Sequence, residues 1–455
     1  MKITKILGRE IYDSRGWPTI QCELELDGTT WITAATPSGM SRGKHEACEL
    51  RDGGTRLWGR GVLRAIENID YIIAPGLVGK EPDGPLMDAL LLELDNTPDK
   101  SHLGANTLLA VSMAVHRAQA YNEGIELFEL IAYLLDATSV SIPFPQFNLI
   151  NGGMHADNQL AIQEMLLVPV DAPHFRSALE LGVATFHELQ ALLQRNGKSI
   201  AIGDEGGFAP RISIDEGLLS IYEATQRISE TEVQSVIGLD MAASQLFDVE
   251  SGLYCIDGTK FTSNELINWY AQLIEIYPIY SIEDPLAEDD WEGWQKCMQL
   301  LGDHIQIVAD DLCVTNAKRV QQAIDSNCVT AVIIKPNQVG TISETLQTIQ
   351  LCQANNIDTI VSHRSGDTND DFIADLAVGA SAGQIKSGGC CRGERMAKYN
   401  RLLAIEEMLL WGSLSNQAMT IDDSSSAGLG SCGFSTDGTG SDDIDFTANT
   451  SMSSQ

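Results

Sequence analysis

The sequence predicts an α/β protein: a small α+β N-terminal domain followed by a barrel of alternating strands and helices. Three observations carry this. Beyond residue 142, short apolar runs recur and each closes on charged residues. Taken at Asp204, Asp240, Glu283, Asp310, Lys335, His363 and Lys386, the closures are spaced 36, 43, 27, 25, 28 and 23 residues apart. Helical segments such as NELINWYAQLIEIY and ISETLQTIQLCQANN lie between them, which is the rhythm of βα units. Before residue 138 the texture differs, with hairpin signals followed by helical periodicity.

Taken in order, TIQCELELDGTTWITAAT reads as two strands around an Asp27-Gly28 turn. TPSGMSRGKHE is a Gly/Ser/Pro loop. Residues 61–137 read as helical, with GANTLLAVSMAVHRAQAY the clearest amphipathic stretch. This places an N-terminal α+β domain at 1–137 and the barrel at 138–411. Residues 412–455 contain no Lys or Arg and eleven Ser, so the expectation is a flexible acidic tail.

With 455 residues, 44% hydrophobic and 20% charged, the chain is neither disordered nor collagen-like. A net charge of −34 argues against nucleic acid or an anionic membrane as partner. No run approaches a membrane span, and the N-terminus turns polar too early for a signal peptide. Ten Cys without a CxxC pair, two of them adjacent at Cys390-Cys391, suit reduced thiols and a cytoplasmic location.

In a barrel of this kind, strand C-termini face the active site. Asp240, Glu283 and Asp310 therefore present three hard carboxylates to one mouth, a donor set suited to Mg²⁺. Lys335 and Lys386 end strands in the same mouth, and a lysine among cations can have a lowered pKa and act as a base. Glu205, in GDEGG, and Glu164, at the start of an apolar strand after Gln163, can serve as acid and helper. His363-Arg364-Ser365-Gly366 reads as an anion grip, since Arg offers a fork to phosphate and Ser a donor. His155 lies on the Gly-rich loop NGGMHADN.

These residues sit in segments that resemble the enolase family. The matching motifs include DSRG, PSG, HEA, LGAN, NGG, GDEGG, SIEDP, ADDL, SHRSGDT, FIADLAVG and IKSG, in family order from Tyr12 to about Glu407. The resemblance implies a modified (β/α)8 barrel capped by the small domain. It also implies the reversible dehydration of 2-phosphoglycerate to phosphoenolpyruvate, a carbon–oxygen lyase step of glycolysis and gluconeogenesis. Carried over, Lys335 is the base at C2 and Glu205 the acid at the C3 hydroxyl, with Glu164 and His155 assisting. Asp240, Glu283 and Asp310 hold one Mg²⁺. Ser41 joins a second Mg²⁺ that arrives with substrate. Arg364, Ser365 and His363 meet the phosphate, Lys386 and Gln163 the carboxylate end, and Ser38 is a further substrate-binding residue. A homodimer is the expected assembly; the alternative is an enolase-like binding or regulatory protein with reduced or no turnover.

Several positions depart from the family pattern. The mobile loop reads PSGMSRG, with Met40 and Arg42 in place of small residues. Trp17 follows DSRG, Gln245 replaces an acid, Pro336 follows the base lysine, and Gly393 replaces a serine. Gln21 and Ala404 stand where the family places an intersubunit acid–arginine pair. Losing both partners together leaves neither charge unpaired, and predicts a weakened dimer.

Overall fold

The computed structural model describes residues 1–39, 43–228 and 233–425, with side chains through 411. The loop residues Met40, Ser41 and Arg42 lie outside the described residues, as does 426–455. Residues 1–406 form one compact unit and 407–455 a second.

The chain opens with an antiparallel sheet of β1 (Ile3–Tyr12), β2 (Pro18–Leu26) and β3 (Thr30–Ala35). The expected hairpin is present. Asp27 and Gly28 both take positive φ, the geometry that Asp-Gly turns favour, and Leu26 pairs with Thr30. Helices follow: α1 (Leu63–Glu67), α2 (Ala74–Leu77), α3 (Gly84–Asp95), α4 (Ala105–Glu123) and α5 (Leu127–Leu134). α4 is not the half-exposed helix its pattern suggested. Fifteen of its residues are buried, because it packs on β2 and β3 and also against the 336–338 turn of the barrel.

The barrel is closed by eight strands: β4 (Phe144–Asn151), β5 (Glu164–Pro169), β6 (Ser235–Asp240), β10 (Ile279–Glu283), β11 (Gln306–Ala309), β12 (Ala331–Ile334), β13 (Asp358–Ser362) and β14 (Gln384–Lys386). A small sheet of β7 (Phe247–Asp248), β8 (Leu253–Ile256) and β9 (Thr259–Phe261) follows β6. Around the barrel run α6 (Phe175–Arg195), α7 (Ile214–Gln226), α8 (Ser263–Ile276), α9 (Trp291–Leu301), α10 (Ala317–Asp325), α11 (Ile342–Ala354), α12 (Phe372–Gly379) and α13 (Gly393–Ser425). Their starts are locally encoded. Ser213 and Thr262 form capping boxes with Glu216 and Glu265, and Asn316 and Thr341 cap α10 and α11. Val308, Ala331, Ile333 and Ile360 form a buried apolar cluster contributed by β11, β12 and β13. Among the described residues no helix is long and apolar enough to cross a membrane.

Two expectations are corrected. The run SIAIGDE is not a barrel strand. Gly203 N–H donates to Gly207 O and Ile202 bridges Phe208, so the segment closes on itself as a loop. Its place in the barrel is taken by β4 and β5. β5 runs antiparallel to both neighbours, whereas all other adjacent pairs are parallel. The last helix runs from Gly393 to Ser425.

Candidate active site

The reversal of β5 is what completes the site. A parallel strand brings its last residue to the mouth, while a reversed strand brings its first. Glu164, first in β5, is therefore opposite Asp240, last in β6, and Asn151, last in β4. Glu283 ends β10 and Lys386 ends β14, while Asp310, Lys335 and His363 directly follow β11, β12 and β13. One pocket is lined by His155, Gln163, Glu164, Glu205, Asp240, Asp310, Lys335, His363, Arg364, Ser365 and Lys386. Glu283 reaches the same group through Lys386.

Lys386 is the electrostatic hub. Its Nζ lies 2.8 Å from Glu164 Oε2, 3.1 Å from Asp240 Oδ2 and 2.8 Å from Glu283 Oε2. Burial favours its neutral form, yet Asp240, Glu164 and Glu283 hold its pKa well above the usual lysine range. Glu283 shifts upward, because burial and the Asp240 charge outweigh the lysines. Its Oε1 is buried and has no hydrogen-bond partner among the described residues.

Lys335 lies against Asp310 Oδ2, and Asp310 Oδ1 accepts from Gln338 Nε2 at 3.0 Å. The sequence led us to expect a lowered pKa for Lys335. The structure shows the reverse: burial pulls it down, but Asp310 outweighs burial and the repulsion of Arg364 and Lys386. Pro336 does not disturb the lysine. It starts a short turn, where its missing N–H costs little, and Lys335 takes the extended φ/ψ that precedes proline. Lys335 N–H donates to Thr315 Oγ1 at 2.8 Å.

On the opposite side, His155 Nδ1 is 3.3 Å from Glu205 Oε2 and 3.5 Å from Glu164 Oε1. Both loops that bring them there depend on glycine. A Cβ on Gly152 would lie 2.3 Å from Ile162 O, and Gly206, after Glu205, has φ of 93°. Burial opposes the charge on His155, but Glu205 and Glu164 raise its pKa to about 10. Glu205 is held well below the ordinary carboxylate range: burial raises it, and His155 more than compensates. Glu205 alone is thus a poor proton donor; the proton resides on His155. His363 is pushed well below its usual range by burial and by Arg395. Arg395 Nη1 donates to His363 Nδ1 at 2.5 Å, so the neutral ring carries its proton on Nε2, which lies 3.6 Å from Glu205 Oε2.

The raised His155 pKa gives a pH-dependent stability term. That contribution is complete below about 6.5 and is lost as pH rises through about 10. The difference in melting temperature between the natural protein and His155→Gln should narrow across that window. A constant difference would contradict the pairing.

Arg364 forms a two-pronged pair with Glu46 at 3.0 and 3.1 Å and also donates to Asn337 Oδ1. Gln163 Nε2 donates to Asp240 Oδ2 at 3.1 Å, and Gln163 Oε1 accepts from Gln245 Nε2 at 3.2 Å. The replaced acid at 245 is thus part of the pocket. Trp17 packs edge-on against Trp58, with the Arg60 guanidinium 4.2 Å over its ring. Gly393 opens α13 with room for a side chain, since a Cβ there would be 3.6 Å from Asn369 Oδ1.

One expected residue, Ser38, is not brought into this cluster. Ser38 is buried, and its Oγ donates to Asp13 Oδ2 at 3.1 Å. Ser41 lies outside the described residues. Nor are Asp240, Glu283 and Asp310 the tightest acidic trio. The acid oxygens of Asp284, Asp310 and Asp311 all lie within 4.8 Å of one another, and so do the ligand atoms of His155, Glu164 and Glu205. Sequence reasoning did not foresee a role for Asp284. Its carboxylate accepts the N–H groups of Asp310 and Asp311 at 2.9 and 3.0 Å, which fixes Asp310. Its adjacency to Glu283 at a strand end was the available signal. Glu46 was equally missed, although HEA marks it.

Residues 3–131 match the family described as "Enolase, N-terminal domain" and residues 139–418 match "Enolase, C-terminal TIM barrel domain". A protein named "Enolase" from Corynebacterium kroppenstedtii is 44% identical over 411 residues, covering 90% of this chain and 96% of that protein. The chain belongs to the enolase family.

Proposed function

We propose that this protein catalyses the reversible dehydration of 2-phosphoglycerate to phosphoenolpyruvate with divalent metal, Mg²⁺ in particular. The observation that carries the reading is the pairing of two proton-handling groups across one mouth: Lys335 on one side, and His155 with Glu164 and Glu205 on the other. The residues fit a hard cation. Asp240 and Glu283 converge on a single cationic group, and Glu283 Oε1 is a buried oxygen lacking a hydrogen bond among the described residues. Asp240, Glu283 and Asp310 would hold the first Mg²⁺, and Ser41 would contribute to a second that comes with substrate. When bound, the metal neutralises the substrate carboxylate and the acidic strand ends, which makes the proton at C2 easier to remove.

Lys335 Nζ takes the C2 proton, and the C–H electrons form the C2–C3 double bond. The neutral amine this requires is favoured by the charges of Arg364 and Lys386 once Asp310 no longer supports the ammonium. The C3–O bond breaks, and the departing hydroxyl takes a proton from the His155–Glu205 pair, whose Nδ1 and Oε2 lie 3.3 Å apart, and leaves as water. Lys386 and Gln163 meet the carboxylate end, and Arg364, Ser365 and His363 meet the phosphate. Arg364 is already fixed by Glu46, so its fork is preorganised. Lys335, Arg364 and Lys386 supply the cations that an anionic substrate meets in a chain whose net charge is −34.

The test is the absorbance of phosphoenolpyruvate formed from 2-phosphoglycerate. Turnover should require Mg²⁺, stop on chelation and return on replenishment. A folded protein without Mg²⁺-dependent turnover would contradict the reading.

The assembly we propose is a homodimer. Exposed Tyr12, Trp31 and Tyr121 rim a groove that also includes Gln21, an apolar and polar mixture suited to a second copy. Gln21 donates to Glu23 of its own strand, so it offers no intersubunit charge, and the dimer is correspondingly weakened. Sedimentation showing a monomer, or a dimer tighter than nanomolar, would contradict one or the other part. No disulfide joins the nine described cysteines, which fits the cytoplasmic location we propose.

A further inference from the structure

The DSRG turn has no role in the chemistry above, yet it reaches the active site. Asp13 Oδ1 accepts the N–H groups of Arg15 and Trp17 at 2.8 and 2.9 Å, and Gly16 takes a positive φ of 74°, so the turn is locally specified. It points Arg15 toward the barrel. Arg15 Nη1 donates to Ser365 Oγ at 3.3 Å, and Nη2 donates to Ser38 O at 3.1 Å and to Ser38 Oγ at 3.3 Å. Ser38 in turn exchanges two backbone hydrogen bonds with Gly366, at 2.7 and 2.9 Å. The approach needs glycine at 366: a Cβ there would lie 2.3 Å from Asp13 Oδ2 and 2.6 Å from Arg15 Nη2. The Arg15 side chain is 5% exposed, and its Nε has no hydrogen-bond partner among the described residues.

We infer that Arg15 is a positioning residue for the phosphate end of the substrate, acting by holding the Ser365 hydroxyl as an acceptor. A hydroxyl has one proton. When Ser365 Oγ accepts from the guanidinium, its own proton must be donated to another acceptor, and a phosphate oxygen at Arg364 and Ser365 is such an acceptor. The Arg15 charge is itself paired, with Asp13 Oδ2 3.5 Å from Nη2, so what Arg15 brings to the grip is its hold on Ser365. The inference rests on the reading that Ser365 meets the substrate phosphate.

The experiment is steady-state kinetics of the full chain with Mg²⁺ and 2-phosphoglycerate, using R15Q, R15K, S365A and the double variant R15Q/S365A. R15Q should raise KM about tenfold or more while kcat stays within about threefold, and R15K should raise it less. In the S365A background, R15Q should add less than about twofold, because the two residues act as one unit. A lowered melting temperature with unchanged KM would overturn the inference, and so would effects of R15Q and S365A that multiply in full. Should R15Q fail to fold, a folded R15K with unchanged KM overturns it equally. Inactive natural protein would instead count against the proposed function. In that case calorimetry with inorganic phosphate decides: weaker binding by R15K supports the inference, and equal binding overturns it.

Discussion

Lys386→Met should produce the largest loss of stability of any single change at the site, and the loss should be reversed by metal. The Lys386 ammonium lies within 3.1 Å of Glu164, Asp240 and Glu283, all buried. Methionine fills similar space but leaves three carboxylates without their shared cation. Breaking a buried ion pair from one side costs about 3–5 kcal/mol, because the remaining charge stays buried and unpaired. Without metal, denaturant unfolding should register that loss. Mg²⁺ should then raise the melting temperature of the variant more than that of the natural protein, since it binds the folded form and neutralises the same oxygens. A variant as stable as the natural protein without metal would show that the lysine is not what compensates this cluster.

Lys335→Ala should lower kcat by about 10²–10⁴, the usual contribution of a positioned base. The fall should appear in kcat and kcat/KM alike, since the group acts on the reacting proton rather than on binding. Asp310 keeps Gln338 as a partner and its N–H is held by Asp284, so the strand end should stay in place. A variant with unchanged kcat would remove Lys335 from the chemistry. Loss of binding alone would make it a charge for the substrate rather than a base.

What could be read in the sequence was mostly local. Each βα unit carries its own signal, so the strand ends at Asp240, Glu283, Asp310, Lys335, His363 and Lys386 were legible one by one. The run ending at Glu205 carried the same signal and is a loop, because Gly203, Gly206 and Gly207 fold it back on itself. The reversal of β5 was not legible either. Glu164 was placed at the start of a strand, but no local pattern says which way a strand runs in a barrel. Charge states were the least accessible. The direction of the Lys335 shift depends on Asp310, which is 25 residues away, and that of Glu205 on His155, which comes from another loop. Arg15 and Ser365 are 350 residues apart, and only the assembled fold joins them.

The central claim is a division of labour: Lys335 removes the proton at C2, and the His155–Glu164–Glu205 group serves only the departing hydroxyl. The most direct measurement is exchange of the C2 hydrogen of 2-phosphoglycerate with deuterated solvent, followed by NMR in Glu205→Gln with Mg²⁺. The account predicts that exchange continues while phosphoenolpyruvate formation falls by about 10²–10⁴. Exchange that is lost together with elimination would place Glu205 in the first proton transfer and contradict the division.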